Sequence, residues 1–94
     1  MSALEAMLGA LATALPQCRV SIEPHGAAIY LEFRDDGHQL TLSIDRRIRY
    51  ALADDISFAR EAALAVSDAL ASHPGERNLA LDYDDGDRLR VQRR

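Results

Sequence analysis

The 94-residue sequence contains no lysine, no tryptophan, one cysteine, three prolines and five glycines. Each shortage excludes something. A lone Cys18 cannot close an internal disulfide, so the fold has to rest on buried apolar surface. The five glycines are not grouped as a phosphate-cradling loop requires, which removes the nucleotide-binding glycine motifs. No stretch reaches the roughly 20 apolar residues that a membrane-spanning helix needs. The apolar N-terminus, residues 1–15, resembles a secretory leader in hydropathy, but its only charge is Glu5 and it has no positive n-region. Basic residues are also in deficit: 11 arginines face 15 acids, a net charge of −4. The deficit is uneven. Residues 1–53 hold 5 arginines against 6 acids (−1), and residues 54–94 hold 6 against 9 (−3).

A hydrophobic content of 48% argues against disorder. At this length folding buries roughly 65% of the unfolded chain's surface, enough for one two-layer core, so residues 1–94 are expected to form a single cytoplasmic-type domain. Sixteen alanines and an all-arginine basic set are the compositional biases.

Ser2-Ala3-Leu4-Glu5 has the form of a capping box, and Leu4, Met7, Leu8, Leu11 and Leu15 recur at helical spacing up to Pro16, which predicts a first helix over residues 3–15. Its other side is mostly alanine and could be covered by a partner. From Arg19 to Ile44 the apolar period falls to two, predicting three strands. A tip at His25-Gly26 sets Ile22 opposite Ile29, and a two-residue turn at Asp36-Gly37 sets Phe33 opposite Leu40 and Leu31 opposite Leu42. Ile48, Tyr50 and Leu52 keep the phase of the third strand, so residues 45–53 read as its bent or broken extension. Asp54 and Asp55 offer an N-cap to a second helix over 55–72, with Ile56, Ala59, Ala63, Val66 and Leu70 as its core stripe and His73-Pro74-Gly75 ending it. Residues 76–94 read as a hairpin in which matching Leu81 and Tyr83 with Val91 and Leu89 demands a three-residue loop or a bulge near Asp87. The expected fold is therefore α+β: an antiparallel sheet of about five strands, two helices on one face, order α-β-β-β-α-β-β.

Chemistry-bearing residues do not assemble into a catalytic pattern. Asp82, Asp84, Asp85 and Asp87 depart from the calcium-loop template, because Gly86 stands one place early and Arg93 occupies the glutamate position; the run reads as a hairpin tip. His25, His38 and His73 fall at turns or a helix end, away from zinc-ligand spacing to Cys18, which reads as a small core hydrophobe facing Phe33. No metal or cofactor is expected, and no enzymatic activity. Two surfaces remain. Leu4, Met7, Leu8 and Leu11 are the candidate protein-contact stripe. Arg46, Arg47, Arg49, Arg88 and Arg90 form a candidate arginine stripe for nucleic acid, whose phosphates would supply the affinity.

Helix, three strands, helix is the element order of a double-stranded RNA-binding domain, but Asp54 and Asp55 stand where that family carries lysines. The full order resembles the class I type III secretion chaperones. Leu79-Ala80-Leu81-Asp82, the Asp85-Gly86 turn and Arg90-Val91-Gln92 are similar to their final hairpin, although their closing helix has no counterpart after Arg94. That resemblance implies an acidic, dimeric, peptide-binding protein. The sequence thus predicts a small non-catalytic interaction module, adaptor or chaperone-like, with another protein or a second copy as partner. Nucleic acid is the alternative, and no membrane is expected.

Overall fold

The computed structural model describes residues 3–94. Its elements are α1 (Ala3–Ala14), β1 (Cys18–Ile22), β2 (Ala28–Phe33), β3 (Gln39–Ile44), α2 (Arg46–Ala51), α3 (Ile56–Ser72), β4 (Asn78–Tyr83) and β5 (Leu89–Arg93). The fold is α+β, with the strands side by side in chain order in one five-stranded sheet. Ser2, half of the expected capping box, lies outside the described residues.

The sheet is mixed, which corrects the expectation of an antiparallel one: β3 and β4 run parallel, with Leu42 beside Leu79 and Ile44 beside Leu81. The cause is the crossover. The 17 residues of α3 extend roughly 25 Å and carry the chain back along the sheet, so β4 starts beside the start of β3 and must point the same way.

Register follows from the turns. β1 and β2 pair as expected, Ile22 with Ile29 and Cys18 with Phe33. β2 and β3 are displaced by two residues from the expected register: Leu31 faces Leu40 and Ile29 faces Leu42. The loop there is four residues wide, not two. The Phe33 N–H donates to the His38 carbonyl at 2.7 Å, the Gly37 N–H returns to the Phe33 carbonyl at 2.9 Å, and Gly37 takes φ 72°. A slip of two leaves every side chain on its original face, so the apolar alternation fits both registers. The last hairpin has the expected three-residue loop. Asp87 takes φ 57°, its N–H donates to the Asp84 carbonyl at 3.1 Å, and Leu81 faces Val91.

Residues 45–53 are corrected from bent strand to helix. Asp45 caps α2 by accepting the Arg47 N–H at 2.9 Å, in competition with strand continuation. Ile48 and Leu52, four apart, are both buried, whereas Tyr50 is 67% exposed. Positions 48 and 52 suit period two and a helix equally; only Tyr50 distinguishes them.

All three helices contribute to one core on one face of the sheet. Met7 and Leu11 of α1, Ile48 and Leu52, and Ala59, Ala62, Ala63 and Val66 of α3 meet Ile29, Leu31, Leu40, Leu42, Leu79 and Leu81. Among the described residues no polar or charged residue is buried. Ile56, expected in the core stripe, is 45% exposed because it opens the helix immediately after the Asp55 cap. Phe58 packs against the core in its place, 6.4 Å ring to ring from Tyr83. Among the described residues no helix is long and apolar enough to cross a membrane.

Candidate interaction surfaces

The α1 stripe proposed for protein contact is largely core. Met7 and Leu11 are fully buried, and Leu4 and Leu8 are half-buried against the same cluster. This corrects the assignment of Met7 and Leu11 to an outward contact surface: a helix beside a five-stranded sheet turns its strongest stripe inward.

The alanine-rich side of α1 does face outward. The N-terminal end of α1 lies by Leu52 and Ala53, ahead of α3, and Leu15 lies by Leu70 near the end of α3, so the two helices run side by side in one direction. Between their outer faces is an open groove of about 650 Å³. One wall is Glu5, Ala6, Gly9, Ala10, Thr13 and Ala14; the other carries Arg60, Ala63 and Leu64. The Thr13 hydroxyl is turned onto its own helix, donating to the Gly9 carbonyl at 3.0 Å. Leu64 is 65% exposed. Its signal was present in the sequence, since it is an apolar residue out of phase with the α3 core stripe, on the arc that carries Arg60, Glu61 and Asp68.

The arginine stripe is not continuous. Arg90 lies on the sheet face away from the helices, its Nε 3.0 Å from Asp82 Oδ1, where Gln92 also donates to Asp82. Arg47 leans over the Tyr83 ring at 4.9 Å and reaches Asp45 and Asp87 at 3.5 and 3.7 Å. Arg46 lies over Tyr50, and Arg49 turns into a cavity beside Leu4. Arg88 stands at the tip opposite Asp84, among Asp85 and Asp87. Aspartates therefore interleave Arg47, Arg88 and Arg90, and Arg46 and Arg49 stand apart at the cavity.

The aspartate cluster is occupied by the turn it builds. Asp84 Oδ1 accepts from the Arg88 and Gly86 N–H groups at 3.0 and 2.8 Å, and those bonds hold its carboxyl below the ordinary carboxylate range. Glu23 does the same in the first hairpin, accepting from the His25 and Ala27 N–H groups, with the same downward effect. Among the described residues no three metal-binding side chains come together. Cys18 is buried, as expected, and burial pushes its thiol up, with Asp35 adding to the effect. His38 bonds the Glu76 carbonyl at 3.1 Å and meets Phe33 edge-on at 5.3 Å, a tie between the β2–β3 loop and the entry to β4.

No protein-family model, curated protein or solved structure matches the chain.

Proposed function

We propose that the chain is a small protein-interaction module with no catalytic site of its own, adaptor or chaperone-like, and that it self-associates through the outer groove of α1 and α3. The observation that carries this reading is Leu64, a large apolar side chain 65% exposed beside a wall of glycine and alanine. Knob and hole lie on one face, so a two-fold axis sets each Leu64 into the other copy's trough at Gly9 and Ala10. Short side chains there let the helices approach closely and gain dispersion contacts. Such a contact is apolar at its centre, and each copy carries a charge of −4, so added salt screens the repulsion and favours association. Nucleic-acid binding has the opposite salt dependence.

Size-exclusion chromatography with light scattering tests the proposal. The mass should rise from 10.4 kDa towards twice that value with concentration, more readily at high salt. Leu64→Glu should hold it at the monomer mass while changing stability by less than about 0.5 kcal/mol, as expected of an exposed helix position. A wild-type mass fixed at the monomer value over the whole concentration range refutes self-association.

A further inference from the structure

Beside the N-terminal end of α1, α2 and the β1–β2 loop flank an open cavity of about 520 Å³. Its apolar lining comes from Leu4, Leu52 and Ala53, with Tyr50 at the rim, and its charged side chains are Arg46 and Arg49. The Arg49 Nε atom is buried and has no hydrogen-bond partner. The nearby acid, Glu23, accepts the backbone N–H groups of His25 and Ala27 on its two carboxylate oxygens and also feels the Arg49 charge, so one acid stands beside the two arginines of the cavity. Arg46 is steadied at the rim by Tyr50: its Nη2 donates to the Tyr50 hydroxyl at 3.4 Å, and its guanidinium lies 5.8 Å over the ring. That contact holds a second cation at the mouth and leaves most of Tyr50 uncovered, at 67% exposure.

We propose that this cavity binds an amphiphilic organic monoanion, a small molecule with an apolar body and one carboxylate. The carboxylate pairs with the guanidinium of Arg49, which lines the cavity, Arg46 supplies the second positive charge, and the apolar body lies against Leu4, Leu52, Ala53 and the Tyr50 ring. The volume suits a ligand of this size, and a few placed polar groups in an apolar cleft is the usual form of such sites. The site shares no lining residue with the α1–α3 groove.

An isosteric pair of probes tests the charge directly on the unmodified protein: 1-naphthylacetate and neutral 1-naphthylacetamide, titrated into ¹⁵N-labelled protein. Naphthylacetate should shift the Gly26, Arg49 and Ala53 amides saturably and bind about tenfold more tightly than the amide, the margin of a charge-assisted bond over a neutral one. Arg49→Met should erase that preference while leaving the dispersed spectrum intact. No saturable shift at these amides, equal affinity for the two probes in wild type, or shifts mapping to another surface would overturn the proposal.

Discussion

At the scale of single residues, the tightest constraints sit in the turns. Asp87 holds φ 57°, a conformation that costs an L-residue roughly 1–2 kcal/mol and that aspartate tolerates better than most. Asp87→Val should therefore lower stability by about 1 to 2 kcal/mol, whereas Asp87→Gly should fall within about 0.5 kcal/mol of wild type; urea unfolding reads both. Equal losses in the two variants would show that the Arg47 contact, not the backbone, sets the cost. Glu23 and Asp84 give the acid limb. Their carboxyls lie below the ordinary range in the folded chain, so their contribution is present above the unfolded value and lost as pH falls through the folded one. The urea midpoint should drop below about pH 4, and the double variant Glu23→Gln, Asp84→Asn should show a shallower drop. An unchanged acid limb in that variant would contradict the assignment. Asp87 was legible in the sequence because the even sum of the matched positions required an extra residue in the loop. Leu64 was not singled out from the sequence, because an apolar residue on a charged helical arc gains its meaning only from what lies across from it.

At the scale of elements, α1, the strands and α3 were readable because period, caps and breakers agreed. α2 was not. Ile48 and Leu52 are compatible with a strand phase and with one helical turn, and the Asp45 cap lies within a polar stretch that also reads as a loop. The same ambiguity concealed the cavity, since Arg49 and Tyr50 reach it only from a helix. The two-residue slip between β2 and β3 was unreadable for a related reason, because both registers bury the same residues. Ile48 is the anchor that makes the short helix part of the core, and Ile48→Ala should cost about 2 to 5 kcal/mol by urea unfolding. A cost below about 0.5 kcal/mol, ordinary for a surface position, would mean that α2 is not docked.

At the scale of the whole molecule, the helices close one face of a mixed sheet and divide the outward surface into regions of different character. One is the apolar groove of α1 and α3. Another is the cavity by α2, and a third is the polar sheet face, where Asp82 meets Arg90 and Gln92. The parallel β3–β4 pair follows from the crossover and was not visible in strand patterns taken one at a time. The first contact surface inferred from α1 was its strongest apolar stripe, and packing claimed that stripe for the core. What remains outward is the weaker, alanine-lined side, and its complementarity to Leu64 is the basis of the proposed association. The most direct measurement is an isotope-filtered NMR experiment on a mixture of ¹³C-labelled and unlabelled protein at high concentration and high salt. Intermolecular cross-peaks from the Leu64 methyls to Gly9 and Ala10 are the expected result; a dimer whose cross-peaks map elsewhere, or a sample with none, would contradict the account.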